Sequence, residues 1–368
     1  VRISEGDELT NTSYRGRSAA VLENEHVRVT VLREGGHIAE IYDKAAGVNP
    51  LWTPPWPTIE PSTFNRASMA VYGEGSEARL LAGIMGHNLC LDIFGPPSDE
   101  EARSGLTVHG EGSIVPYDLR VGDGTLRASA RFPIAGLEFQ RQIFLRQTAL
   151  MIRETLSNVS GVDRGIGWTQ HVTLGPPFLE RGKTQFRASA TRSKVFEATF
   201  GADDYLTPAA EFNWPMAPTL NGGTADLRLF SDRPRSSAFT SHLVDQDRST
   251  AFFVSFAPAF GLAFGYVWNP EDFPWLGIWE ENHSRVNPPW NGRTVARGME
   301  FGVSPVPETR QAMINRGTMF GIPGFRRLPA GASIGAEYCA ISKHAGSIPE
   351  SFEWPACFPL RNNTDSTH

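Results

Sequence analysis

The feature that most constrains this chain is the return, about every ten residues, of a short run alternating apolar and polar side chains. No helical period of comparable strength separates these runs. HVRVTVL from His26 alternates, turns at Gly35-Gly36 and comes back as HIAEIYD to Asp43, which predicts a hairpin. YDLRVGDGTLRASARFP predicts a second hairpin about Asp123-Gly124. LEFQRQIFLR, ALMIRETLSNVS, KTQFRASATR and TADLRLFS continue the pattern. STAFFVSFAPAFGLAFGYVWNP predicts two central strands joined near Pro258. PWLGIWEENHS, ARGMEFGVSP and GFRRLPAGASIGAEYCAIS complete it. The 36 Gly and 27 Pro supply turns in place of long helices. The expected fold class is all-β, a large antiparallel β-sandwich, with residues 26–345 as one domain. Residues 1–25 read as an N-terminal arm or edge strand and 346–368 as a polar C-terminal tail. Five prolines within PLWTPPWPTIEPSTFNR make 47–66 an ordered loop. Ser98 before an acidic run predicts a short helix near 98–104.

Charge and motifs exclude several functions. The formal charge is -6 and the basic residues are scattered, so no surface is built to attract a phosphate backbone, and nucleic acid is not an expected partner. No run of 18 apolar residues occurs, so no membrane span is expected. Cys90, Cys339 and Cys357 form no C-x-x-C, which predicts free buried thiols in a reducing compartment, with the cytoplasm as the expected location. No glycine-rich phosphate loop opens a helix and no G-x-S-x-G occurs, which disfavours nucleotide binding and serine hydrolysis.

Three segments carry candidate chemistry. GLTVHGEG holds His109 before a glycine that permits close approach. WTQHVTLGPPF holds His171; alternation puts Trp168 and Gln170 on one face and Thr169, His171 and Thr173 on the other, a polar groove rather than core. ARGMEFGVS puts Glu300 opposite Met299 and Phe301, where burial beside aromatics would raise its pKa. Two imidazoles and a carboxylate suit proton transfer at an acetal or hydroxyl oxygen. They could also converge as a facial metal triad. Glu280 and Glu281 compete for a carboxylate role. Tryptophans beside polar residues suit a sugar site, because a flat ring covers a pyranose C–H face. Arg285, Arg293 and Arg297 lie near Glu300 in the sequence and would favour an acidic or phosphorylated substrate. The substrate-binding set expected from these arguments is His87, Trp168, Trp279, Glu281 and Arg285.

Together, VHGEG, TQHVTLGPPF, GMEFGVSPVPE and the early GGHIAEIYD resemble, in order, motifs of the aldose 1-epimerase (galactose mutarotase-like) family. The resemblance spans roughly residues 26–345 and implies a β-sandwich whose concave face holds a monosaccharide or sugar derivative. It implies Glu300 as general base, His171 as general acid and His109 as a group orienting the sugar near its ring oxygen. It implies no cofactor and no metal. FNRASM around Arg66 and SEARLLAG around Arg79 match the family's early arginine segment poorly, and its sugar-gripping aspartate segment is not evident. The chain therefore resembles a divergent branch. Alternatives on the same scaffold are a polysaccharide lyase or glycoside hydrolase, with Glu280 or Glu281 paired to Glu300, and a non-catalytic carbohydrate-binding protein.

Overall fold

A computed structural model describes residues 12–358. Two sheets, of twelve and eight strands, stack face to face, and the ladders of both are antiparallel. In the larger sheet, strand Arg164–Leu174 lies between His87–Asp92 and Val295–Gly302, and Trp275–Asn282 follows next across the sheet. The smaller sheet places Ser333–His344 between Leu262–Trp268 and Ala149–Asn158.

The expected hairpins form. Val27–Leu32 pairs with Ile38–Asp43, and Asp118–Gly122 pairs with Thr125–Phe132. The apolar stretch makes Ala251–Ala257 and Leu262–Trp268, joined by a short turn of 3-10 helix at Pro258–Phe260. A helix covers Asp99–Arg103, capped by the Ser98 hydroxyl and by a returning Glu101 side chain. Residues 12–25 extend the larger sheet, with Thr12–Tyr14 as its outermost strand. Residues 1–11 and 359–368 lie outside the described residues. Phe352 and Phe358 bury themselves on the outer face of the smaller sheet with Cys339, Phe252 and Phe256, so the segment after His344 covers a face.

Two expected strands differ. KTQFRASATR is not one strand but two. Gln185–Ala188 joins the smaller sheet and Ala190–Val195 joins the larger. Ser189 makes the crossing: its hydroxyl accepts from the Phe252 amide at 3.0 Å and its carbonyl accepts from Asp245. In TADLRLFS only Thr224–Asp226 is a strand, because the Asp226 carboxylate accepts the Arg228 amide at 3.0 Å and turns the chain. All three cysteines are free; Cys90 and Cys339 are buried, and Cys357, against expectation, is exposed. Among the described residues no helix is long and apolar enough to cross a membrane.

The space between the sheets is aromatic. Trp268 stacks on Phe301 with ring centres 4.3 Å apart, and Trp168 meets Phe273 edge-on. One polar network interrupts it. The Glu154 carboxylate accepts from Arg141 Nε at 2.8 Å, Trp168 Nε1 at 3.1 Å, Gln170 Nε2 at 2.6 Å and the Tyr338 hydroxyl at 2.7 Å. Arg141, Glu154 and Tyr338 belong to the smaller sheet, Trp168 and Gln170 to the larger. Both charged side chains of the pair are fully buried.

Candidate active site

Strand alternation sends the two faces of Arg164–Leu174 to different worlds. Trp168, Gln170 and Val172 enter the sandwich; Thr169, His171 and Thr173 face outward under the loops. Register then assembles the site: His171 lies opposite Glu300 on one side and opposite Asn88 on the other. Glu300 lies opposite Gly277, and Gly298 stands two residues before it on the same face. A methyl group on Gly298 would overlap the Glu300 carboxylate. Gly298 therefore clears the space in which that carboxylate lies, whereas a Cβ on Gly277 would meet the Phe239 ring.

His171 Nε2 stands 3.1 Å from Glu300 Oε1, within ion-pair reach but off the alignment of a formed hydrogen bond. Such contacts commonly tighten when substrate arrives. His171 Nδ1 meets Thr173 Oγ1 at 3.1 Å, a hydroxyl that can donate or accept. Burial pushes the Glu300 carboxyl well above its ordinary range, with Arg285 partly opposing the shift. Burial also pushes His171 well below the imidazole range, helped by neighbouring His109. Both shifts favour an uncharged pair, with one proton on the carboxyl and none added to the ring.

His109 sits in a turn. Its backbone is left-handed, with φ 69°. Gly110 follows because a Cβ there would run into the Leu91 carbonyl. The His109 Nδ1–H donates to the Phe94 carbonyl at 2.6 Å, which leaves Nε2 as an acceptor. Burial lowers its pKa to about 4, so it is neutral at pH 7. The His109 and His171 ring centres are 5.0 Å apart.

These three residues line a cavity of about 260 Å³. Trp52 reaches it from the proline-rich loop, Leu80, Leu81 and Ile84 from helix Ala78–Gly83 and its end, Phe239 and Trp279 from strands, and Arg285 and Trp290 from the loop after Asn282. Trp279 meets His171 edge-on with ring centres 5.9 Å apart. The Arg285 guanidinium lies 4.8 Å from the Trp290 ring centre and 5.6 Å from that of Trp279. Among the described residues no group of three or more His, Cys, Asp or Glu is placed to hold a metal ion.

Of the expected substrate-binding set, Trp279 and Arg285 line the cavity. Trp168 and His87 do not. Trp168 is fully buried between the sheets, held by Glu154. His87 pairs with Val172 across the ladder and therefore shares its inward face, where Nε2–H donates to Gln170 at 3.0 Å and Nδ1 accepts from the Tyr266 hydroxyl at 3.1 Å. Glu281 is buried outside the lining; it accepts the Ser284 and Arg285 amides at 2.7 and 2.9 Å and so fixes the loop carrying Arg285. Glu280 turns inward beside buried Arg297 and accepts from the Ser236 hydroxyl at 2.5 Å. Arg293 is exposed, and Arg297 donates to the Leu227 carbonyl, so neither lines the cavity. Glu77, Phe200, Phe239 and the 80–84 helix end were not singled out from the sequence, and no local pattern there points to a ligand.

The fold so described is that of the galactose mutarotase-like proteins. A candidate aldose 1-epimerase from Klebsiella pneumoniae superposes over 91% of this chain and 82% of its own, with TM-score 0.63 and 15% identity. A candidate aldose 1-epimerase from Escherichia coli matches over 89% of this chain and 100% of its own, with TM-score 0.59 and 13% identity. A galactose mutarotase-like protein from Clostridium acetobutylicum matches over 93% and 100%, with TM-score 0.56 and 12% identity. No protein-family model and no curated protein matches the sequence.

Proposed function

We propose that the protein interconverts the anomers of an aldose or aldose derivative by acid–base ring opening. The observation that carries this reading is the meeting of His171, Glu300 and His109 on one wall of a small aromatic cavity. Ring opening needs one group to take the proton from the C1 hydroxyl and one to protonate the ring oxygen as the C1–O5 bond breaks. The new C1=O1 bond allows rotation, and reclosure on the other face returns both protons. A pair holding a single proton suffices, because opening with the roles one way is closure with the roles reversed. Burial favours starting with the proton on Glu300, which makes His171 the first base. The charge-separated form reverses that order and gives Glu300 the base role implied by the family resemblance. Neutral His109, with Nε2 free, accepts a sugar hydroxyl. Trp279 and Arg285 are the proposed substrate contacts.

Cleavage of a polymer finds less support. Neither Glu280 nor Glu281 faces the cavity, so neither supplies the second carboxylate that hydrolysis would need beside Glu300. Saturation-exchange NMR across a panel of aldoses tests the proposal: anomer exchange should be faster with protein than in buffer for at least one sugar. Tight binding without exchange would indicate a binding protein instead.

A further inference from the structure

The cavity wall carries few side-chain hydrogen-bond acceptors. His171 and Glu300 are committed to the reacting centre, which leaves His109 Nε2 and the Glu77 carboxylate as acceptors, beside the donor Arg285. Trp279 and Trp290 each carry a buried indole N–H with no partner among the described residues. Arg285 adds further donors. Much of the remaining wall is hydrocarbon: Leu80, Leu81, Ile84, Phe94, Phe200 and Phe239.

A common hexopyranose brings hydroxyls at C2, C3, C4 and C6 in addition to its reacting centre. Each must give its proton to something, and a hydroxyl pressed on carbon loses its water without replacement. That loss weakens binding by about five- to 100-fold per group. Oxygen that only accepts, as in an ether, suits indole and guanidinium donors instead.

We infer that the ligand is a hydroxyl-poor aldopyranose, deoxygenated or O-alkylated, whose apolar body fills the tryptophan-lined cavity while its anomeric centre meets His171 and Glu300. The orientation rests on the anomer-exchange reading above; the preference for few hydroxyls rests on the wall alone.

The test is a matched series of glucose, 2-deoxyglucose, 6-deoxyglucose, 2,6-dideoxyglucose and 3-O-methylglucose. Binding is read from tryptophan fluorescence, since Trp52, Trp279 and Trp290 line the cavity, and anomer exchange is read by NMR. Affinity should rise about fivefold or more with each hydroxyl removed or capped. Phe200→Asn, which adds an acceptor at the half-buried part of the wall, should narrow that spread. Glucose binding as tightly as its dideoxy analogue, or no binding across the series, overturns the inference. Tighter dideoxy binding without accelerated exchange sustains the substrate class and rejects the anomer-exchange reading. Equal binding and equal exchange for all five sugars does the reverse.

Discussion

Replacing Glu300 by Gln should change how stability depends on pH, and this can be measured without knowing the substrate. The folded protein keeps a proton on Glu300 far above the ordinary carboxyl value of 4.5, while His171 stays unprotonated far below the ordinary 6.5. Between those two values the unfolded chain holds one proton on His171 and the folded chain holds one on Glu300. The pair then contributes no slope. Above pH 6.5 the unfolded chain has shed both protons and the folded chain keeps one. Stability therefore falls by about 1.36 kcal/mol per pH unit until Glu300 itself ionises. In Glu300→Gln that fall is absent. Below pH 6.5 the variant instead gains stability as pH rises, because unfolded His171 loses its proton while folded His171 has none to lose. Above pH 6.5, for as long as folded Glu300 keeps its proton, the two curves should diverge by about 1.36 kcal/mol per pH unit in the variant's favour. Urea unfolding followed by tryptophan fluorescence from pH 5 to 9 measures this. The other buried histidines contribute equally to both proteins and cancel in the difference. Parallel curves above pH 6.5 would refute a resting proton on Glu300. With a turned-over sugar in hand, the same substitution should lower kcat by about 10²–10⁴-fold, and His171→Asn should do likewise.

Gly298→Ala should push the Glu300 carboxylate aside and cost about 10²-fold in turnover while the urea midpoint moves little; unchanged turnover would mean that the carboxylate position is not critical. Arg285→Ala removes a cation that opposes the upward shift of Glu300, so the stability decline should extend to higher pH, and any preference for uronic acids or hexose 6-phosphates over neutral hexoses should disappear. His109→Asn should weaken sugar affinity at least as clearly as it slows exchange, seen as a rise in KM. Glu154→Ala strands the buried Arg141 guanidinium and should cost about 3–5 kcal/mol by urea unfolding, whereas replacing both with methionine should recover only part of that loss, because the Trp168 indole and the Gln170 amide still lose their acceptor.

Much of the site was legible because period two separates faces without reference to tertiary structure. Alternation put His171 and Thr173 on one side of their strand, and Glu300 opposite Met299 and Phe301, and the ladder then joined them. The same alternation placed Trp168 opposite His171, so assigning Trp168 to the sugar set residue type against geometry, and geometry won. His87 was illegible for another reason: its face depends on pairing with Val172, a register set by a neighbouring strand. KTQFRASATR read as one strand because both halves alternate, and the hydrogen bonds that split it at Ser189 come from Phe252 and Asp245. The cavity roof gathers the 47–66 loop, the 78–83 helix and the loops near Phe200 and Trp290. Their meeting depends on long-range closure, and no local pattern records it.

The Glu154 network has a meaning for specificity that its energy does not express. A strand slipped by one residue would turn His171 inward and Gln170 out. Hydrophobic burial alone would resist this weakly here, because the outward side chains also lie under loops. The carboxylate of Glu154, fixed by Arg141 in the opposite sheet, accepts only an arrangement that offers it the Trp168 indole and the Gln170 amide together. The hidden side of the strand thus acts as a key for its visible side, and which residues line the cavity is decided where the cavity does not reach.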